Sequence, residues 1–512
     1  MLQTPSGGSS FSVLLANELA TLRLVIDIAT ALEPGDFLTL SGDLGAGKTT
    51  FTRALIRYLA DDQHLEVPSP TFTLLQTYDL APFPLMHADL FRLSSPGELT
   101  ELGFDDMPEN AVIVLEWPDR AAGLLPRDRL EVAFTLAPQL GSEARHAQIT
   151  GHGTFAARAD RIAAARRFLD GSNYAEAERR RLFRDASTRS FERLLLGSSS
   201  AIFMNSPHRP DGPPVRDGKP YSAIAHLAED VKPYVAIATA LRERGFSAPA
   251  IFQADLGAGF LIMEDLGSDL IVAGDPPAPM AERYAIAIDL LAALHRQQIP
   301  RSIPVLADGE YRIPHYDMGA YLIEAELLLD WYIPRSGDSV AQDSRAAFVA
   351  LWREALLPAF AAEPSWVLRD YHSPNLLWLA DRSGIARVGL LDFQDAQIGP
   401  AAYDVASLLQ DARVDVSEEL ELSLLSRYVR TRRKLDHDFD PISFTTIYAT
   451  LAAQRASKIL GIFSRLERRD GKPQYLRHMP RVWGYLQRSL AHPALASLNA
   501  WYKRHVPAFP HA

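Results

Sequence analysis

The sequence contains no cysteine. Disulfides, thiolate metal sites and a cysteine nucleophile are therefore excluded. No run of about 18 apolar residues occurs, so no segment reads as a membrane span and no membrane partner is expected. The opening residues, MLQTPSGGSS, lack the positive start and apolar stretch of a secretory signal. Positive charge is not in excess: 52 Lys and Arg stand against 63 Asp and Glu, a net charge of −11. That balance excludes a globally basic nucleic-acid surface and leaves only local patches. A cytoplasmic location is the simplest expectation. No internal repeat of useful length is visible.

What remains is a globular composition. With 512 residues, 47% hydrophobic and 22% charged, the chain is too long for one ordinary core, and two or three domains are expected. Residues 12–33 read as a helix closed by the turn EPGD, and FLTLSG as a buried strand. Further strands are expected in TFTLLQTYDL, LMHADLFRL, AVIVLEW and LEVAFTLA. Strands alternating with helices predict an α/β layer domain over residues 1–152. A linker is expected at 153–160. The segment 151–193 holds ten Arg against six acids and reads as a solvated helical face. Beyond it, SFERLLLGSSSAIFMN predicts a hairpin, GFLIMEDLG a strand entering a hinge, and the chain from about 280 a mostly helical body. This places a small lobe at about 161–266 and a large helical lobe at about 267–512.

Two sets of residues carry chemistry. The first is GDLGAGKTT, residues 42–50. Gly42, Gly45 and Gly47 free the backbone to wrap phosphate with N–H groups. Lys48 adds a cation, Thr49 offers a hydroxyl to Mg²⁺, and Thr50 follows at the start of a helix. Binding ATP is not hydrolysing it: the metal needs a second ligand and water needs orienting. Glu116, ending VIVLE, stands where such an acid belongs. Asp89 in HADLFR is a second candidate, and Thr71 in SPTF reads either as a switch hydroxyl or as an ordinary turn residue.

The stretches GDLGAGKTT, VPSPTFTLLQTY, HADLFRL, ELGFDD and VIVLEWPDR occur in order. Together they resemble the ATPase subunit of the bacterial tRNA threonylcarbamoyladenosine machinery, the TsaE family, over about residues 10–152. The resemblance implies a P-loop NTPase fold whose ATP turnover supports modification of adenosine 37 of tRNA. Its partners would be the transferase subunits of that complex, with tRNA reached indirectly. It further implies that Lys48 and Thr49 bind nucleotide and Mg²⁺, that Glu116 holds the metal, that Asp89 assists hydrolysis, and that Trp117 matches a functional position.

The second set begins at WVLRDYHSPNLLW, residues 366–378. Asp370 is followed five residues later by Asn375, the spacing of a kinase catalytic loop. Phosphoryl transfer to a hydroxyl needs a carboxylate beside that hydroxyl and metal ligands on the phosphates. Asp370 fits the first role and Asn375 the second. Asp392 in LLDFQDA supplies another metal ligand after a short apolar run. Glu264 to Leu266 stand where a hinge would meet adenine through its backbone. Trp331, Tyr332, Gln394 and Asp395 either contact an acceptor or serve the structure. His295 reads as a packed helix residue, and RYVRTRRK as an exposed helix end.

The second half resembles the aminoglycoside phosphotransferase-like family, and within it the anomeric N-acetylmuramate/N-acetylglucosamine kinases of cell-wall recycling. The matching stretches include FLIMEDLG, LRDYHSPNLLWL, LLDFQDAQIGPAAYDVASLLQDARV, QRASKILGIFSRL and YLRHMPRVW. A protein-kinase-like α+β bilobal domain with an amino-sugar acceptor is implied. The turn Asp185–Thr188, with Ser187 and then Arg189, would cover the phosphates. Two departures stand out. Leu368 replaces the His of the general family, and no Lys occurs where the small lobe would grip phosphate; Met204 and Asn205 stand there. Arg189, Arg193 or Lys219 are candidates for that charge. Other alcohol acceptors, an aminoglycoside or a choline-like molecule, and a non-catalytic docking lobe are the alternatives.

Overall fold

The computed structural model describes residues 9–509 apart from 72, 82, 94–107, 122, 183–188, 209–211, 301, 306–308 and 338. The chain divides into two compact units, Met1–Asn205 and Ser206–Ala512.

In the first unit, β1 (Ser9–Leu15) precedes α1 (Glu18–Ala29) and β2 (Phe37–Gly42); α2 (Lys48–Ala60) follows the glycine-rich loop. Then come β3 (Leu75–Tyr78), β4 (Leu85–Asp89), β5 (Val112–Glu116), β6 (Arg129–Leu136) and β7 (Arg145–His152). The sheet order is β1-β7-β6-β2-β5-β4-β3. The centre is parallel: β2 runs with β5 and β6, and β4 with β5. Both flanks are antiparallel. The expected helix over 12–33 is therefore strand in its first four residues, 12–15, and helical over Glu18–Ala29. Leu15 and Val13 point into the core while Ser12 and Leu14 do not; this period-two burial belongs to an edge strand. Asn17 then caps α1 by accepting from the Ala20 amide at 2.9 Å.

The four residues before Glu116, VIVL, are all apolar because β5 packs on both faces. Val112 and Val114 join the large core beneath α1 and α2, whereas Leu115 joins a smaller cluster with Ala88 and Leu90.

No linker occurs at 153–160. α3 runs from Phe155 to Asp170, and Phe155, Ala159 and Ile162 belong to the core of the first sheet. The small apolar residues of this segment, read as loose, are the buried stripe of a helix. Nor is the Arg-rich segment a solvated face. Arg158 grips Asp36 with two bonds of 2.6 and 2.7 Å. Asp27, on α1 and only 5% exposed, takes Arg166 at 2.8 Å and also Arg179. Arg179 lies on β8 (Glu178–Leu182) and also holds Glu192 of β9 (Ser190–Leu196) at 2.6 and 3.0 Å. β9 pairs antiparallel with β8 and with β10 (Ser199–Asn205), the expected hairpin.

In the second unit, β11 (Ile251–Asp255) and β12 (Phe260–Glu264) form another hairpin. A helical body follows: α4 (Ala281–Leu294), α5 (Met318–Ala325) and α6 (Gln342–Ala361). Next come β13 (Pro364–Val367), β14 (Leu376–Trp378), β15 (Val388–Leu390) and β16 (Gln397–Pro400). β13 pairs with β16 and β14 with β15. The chain then continues as α7 (Ala402–Leu409), α8 (Glu418–Leu435), α9 (Pro441–Arg468) and α10 (Met479–Leu490). No helix among the described residues is long and apolar enough to cross a membrane.

Replacing Asp27 by Ala takes a shared carboxylate from two guanidiniums in a largely buried site, leaving Arg179 with Glu192 alone and Arg166 with only the exposed Asp170 at 3.7 Å. Breaking one side of such a pair costs about 3–5 kcal/mol. In calorimetry of the full chain, D27A is expected to lower the unfolding temperature of the first unit clearly; an unchanged thermogram would show the network to be energetically idle.

Candidate functional sites

The first site forms at the carboxyl ends of three neighbouring parallel strands. Leu40 of β2 and Asp89 of β4 both stand opposite Glu116 of β5. This is where ligands sit in open α/β sheets. Gly42, Gly45 and Gly47 all have φ between 79° and 129°. At Gly42 the need is absolute, since a Cβ would lie 2.3 Å from the Phe134 carbonyl oxygen. Gly47 caps α2, so the loop's N–H groups gather at a helix N-terminus of 13 residues.

Glu116 is 1% exposed and fully engaged. It accepts from Thr49 Oγ1 at 2.9 Å and Thr52 Oγ1 at 3.3 Å, and lies 2.9 Å from His87 Nε2. Lys48 donates to the Gly42 and Asp43 carbonyls at 2.6 and 3.0 Å, with its ammonium 3.7 Å from the centre of the Trp117 ring. Burial lowers the Lys48 pKa, against the opposing pull of Glu116, Asp89 and Asp43. Asp89 accepts from the hydroxyls of Ser69 and Thr71, both at 3.3 Å. A cavity of about 300 Å³ is lined by Gly45, Gly47, Lys48, Thr49, Thr50, Thr71, Asp89, Glu116 and Trp117. All the expected residues of this set except Gly42 thus line one space, and Gly42 shapes its loop. Three residues were missed: His87 and Ser69, which bond the two acids, and Arg145, whose guanidinium packs against Gly47. Only the spacing of His87 and Asp89 on one strand could have signalled the first.

The second site is built on the loop between β13 and β14. Arg369 has φ +66°, turning the chain so that Asp370 leaves the strand direction. Asp404 of α7, fully buried, accepts from the Leu368 and Arg369 amides at 2.6 and 2.9 Å. The Arg369 side chain runs inward to Glu324 and to the Ala225 carbonyl. Glu324 also holds Lys458 at 3.0 Å. Leu368 is itself buried, so the missing His is a change of packing.

Asn375 donates from its amide to the Asp370 carbonyl at 3.0 Å. The Leu391 amide donates to the Asn375 carbonyl at 3.0 Å, which brings the backbone entering Asp392 beside Asn375. Asp392, at φ +57°, accepts from Gln394 at 3.0 Å. The structure therefore gathers Asp370, Asn375 and Asp392 in one loop cluster. The donors Asn375 and Asp392 here, and Thr49 and Glu116 in the first site, are hard oxygens of the kind Mg²⁺ takes.

Burial would raise the Asp370 pKa, but His372, Lys458, Arg369 and Arg455 together hold it below the usual range. His372 Nε2 lies 3.8 Å from Asp370. Gln394 and Asp395 serve the structure, the latter accepting from the Ala228 amide at 2.6 Å. Tyr332 does too, donating to the Pro507 carbonyl at 3.0 Å. Glu264 is tied to Arg382 at 2.6 Å and Arg242 at 2.9 Å, leaving its side chain no part in nucleotide contact. Leu266 packs on Gly389 of β15. Asn205 accepts from Arg161 at 2.6 Å and Met204 is buried, so neither replaces the absent Lys. Arg189 directly precedes β9, and Lys219 is exposed. Asp185 and Ser187 lie outside the described residues.

Residues 15–145 match the family model of threonylcarbamoyl adenosine biosynthesis protein TsaE, and residues 180–437 that of the phosphotransferase enzyme family. The N-acetylmuramate/N-acetylglucosamine kinase of Caulobacter vibrioides is 40% identical over 363 residues, covering 68% of this chain and 97% of that protein. The chain belongs to both families. Its TsaE domain is 42% identical over 120 residues to the TsaE protein of Rickettsia felis, covering 70% of that protein. Its phosphotransferase domain is also 30% identical over 322 residues to the Pseudomonas aeruginosa kinase of the same name, covering 85% of it. The chain is thus an ATP-using enzyme with two nucleotide-dependent parts.

Beneath the catalytic loop of the phosphotransferase domain, His295 is buried, bonded to Tyr428 at 2.8 Å and 3.9 Å from Asp404. Burial holds its pKa below the ordinary value of 6.5, against the opposing pull of Asp404. The unfolded chain therefore binds the extra proton first, and stability falls as pH drops below about 6.5. Denaturant titrations at pH 7.5 and 5.5 are expected to show this loss, and His295→Gln to show a shallower pH slope. Equal slopes would place the pH dependence elsewhere.

Proposed function

We propose that this chain unites two ATP-dependent activities: an ATPase supporting threonylcarbamoylation of tRNA, and a kinase for the anomeric hydroxyl of N-acetylmuramate and N-acetylglucosamine. The ATPase role is assigned to residues up to about 152 and the kinase role to residues from about 161, both in a cytoplasmic setting. The observation that carries the kinase reading is the Asp370, Asn375 and Asp392 cluster within a domain spanning 97% of a sugar kinase. For the ATPase, it is the ring of hydroxyl and imidazole partners on Glu116 beside a glycine-rich loop.

In the kinase, Asp370 accepts the proton of the acceptor hydroxyl. The oxygen attacks the γ-phosphorus, the bond from that phosphorus to the β,γ-bridging oxygen breaks, and ADP leaves. A depressed pKa keeps Asp370 ionised and ready at neutral pH. An anomeric hydroxyl is more acidic than an ordinary alcohol, so a weak base serves. Asn375 and Asp392 would hold Mg²⁺, which when bound would neutralise charge on the phosphates. In the ATPase, a P-loop NTPase fold in this reading, the loop N–H groups and Lys48 hold the triphosphate. Thr49 and Glu116 would hold its Mg²⁺. Asp89, with Thr71 and Ser69, orients water. The partners are the transferase subunits that act on tRNA.

The two activities should separate cleanly. Asp370→Asn is expected to lower sugar 1-phosphate formation by about 10²–10⁴-fold, read by phosphorus NMR with either sugar, while sugar-independent ATP hydrolysis persists. Lys48→Ala should do the reverse. Retained sugar phosphate in D370N would refute the assigned catalytic role.

A further inference from the structure

Three elements of the second unit bring arginines towards the Asp370 loop, and of these only Arg455 has a role above, through its charge on Asp370. Ser373, three residues after Asp370, donates from its amide at 2.8 Å and its hydroxyl at 2.5 Å to the buried Asp411. That pins the segment 410–413 against the loop. Three arginines meet this segment. Arg413 belongs to it, and its amide donates to Asp411 at 2.9 Å. Arg455 of α9 donates to the Gln410 carbonyl at 3.4 Å, and Arg481 of α10 to the Ala412 carbonyl at 2.9 Å.

Their charges are poorly answered. Arg455 is 6% exposed, and that one long bond is its only hydrogen bond among the described residues. The Arg413 guanidinium has no hydrogen bond or ion pair among them. Arg481 lies 3.7 Å from Asp415, whose side chain is 82% exposed and so contributes little. Arg481 also meets His478 Nδ1 at 3.4 Å, while Arg477 meets His478 Nε2 at 3.3 Å. A neutral imidazole has one acceptor nitrogen, so it satisfies only one of the two guanidiniums. It is neutral here: burial, with Arg477, Arg481 and Arg413, pushes the His478 pKa down to about 4. Asp411 is already spent on Ser373 and the Arg413 amide. Asp370 and Asp411 answer Arg455 and Arg413 only through space, and a buried guanidinium with no hydrogen-bonded counter-ion, as at Arg455, is costly unless an anion arrives. Arg455 and Lys458, both on α9, help to hold the Asp370 pKa down, so the charges of this helix are felt at the carboxylate of the loop.

We propose that Arg413, Arg455 and Arg481 form an anion-receiving end of the acceptor pocket, taking the carboxylate of the lactyl ether that distinguishes N-acetylmuramate from N-acetylglucosamine. This rests on the sugar-kinase reading above. Guanidinium is suited to such a group because its fork matches a carboxylate. The two sugars share the anomeric hydroxyl and the acetamido group and differ at the ether. The cluster therefore discriminates between them and leaves the reacting centre to Asp370.

The test is steady-state kcat/KM of the full chain with three acceptors: N-acetylmuramate, its neutral methyl ester, and N-acetylglucosamine. Wild-type protein is expected to prefer the acid over the ester by about tenfold or more, the scale of a lost charge-assisted bond. Arg413→Ala and Arg481→Ala should each lower the preference for acid over ester, and Arg413→Lys should restore part of it. The ester comparison needs no variant, so a misfolded mutant cannot decide the matter. Equal turnover of acid and ester by wild type overturns the inference, as does an equal loss on all three acceptors in both alanine variants. The latter outcome would assign the arginines to the ATP phosphates. Failure of wild type to phosphorylate any of the three removes the sugar-kinase reading, and this inference with it.

Discussion

The phosphotransferase half depends on one fully buried carboxylate. Asp404 accepts two consecutive backbone N–H bonds from Leu368 and Arg369. An ionised acceptor makes each bond strong, and the fully buried position keeps water from competing. Those bonds fix the backbone at the residue where φ turns positive, and Asp370 comes next. Its direction is thus set from behind. The same turn sends the Arg369 side chain inward to Glu324, where Lys458 completes the charge balance. One constraint therefore aims the Asp370 carboxylate and anchors α9 to the loop that carries it.

The TsaE half solves a related problem by another route. Glu116 is buried as deeply, but it faces the site. Its partners are side chains, two threonine hydroxyls and an imidazole, rather than backbone. A carboxylate held by rotatable hydroxyls can exchange those partners for a cation, whereas one held by two amides cannot without unfolding a loop. Asp404 is held in place, whereas Glu116 keeps partners it can exchange. The distinction follows from who donates, since burial is equal in both.

Local sequence made the catalytic elements readable because each sits where chain direction changes abruptly. At Gly42 a side chain would clash with the Phe134 carbonyl, and Asp370 and Asn375 share one short loop, so spacing together with the nearby LLDFQDA run carried the reading. What escaped depends on residues far apart in the chain. His87 is recognisable only from its position opposite Glu116, and Asp404 only from the loop it holds from 35 and 36 residues away. The residues 9–15 misled for a different reason. Apolar residues near a good helix obscure a period-two pattern seven residues long, and only the neighbour β7 makes that segment a strand.

The Arg-rich segment shows why charge counting alone fails. Counted along the chain, its arginines exceed its acids and suggest solvation. Their partners lie elsewhere: Asp27 on α1, Asp36 before β2, and Glu192 on β9. Asp27 and Glu192 are joined through Arg179, so the helix beside the phosphate-loop domain and the first strands of the kinase-like hairpin share a single buried charge network. Each ion in such a network costs several kcal/mol to desolvate and is repaid only when its partners are present. Partial assembly leaves a charge unanswered. The network therefore favours forming together, and α1, α3, β8 and β9 are joined more firmly than a flexible connection between two enzymes would require.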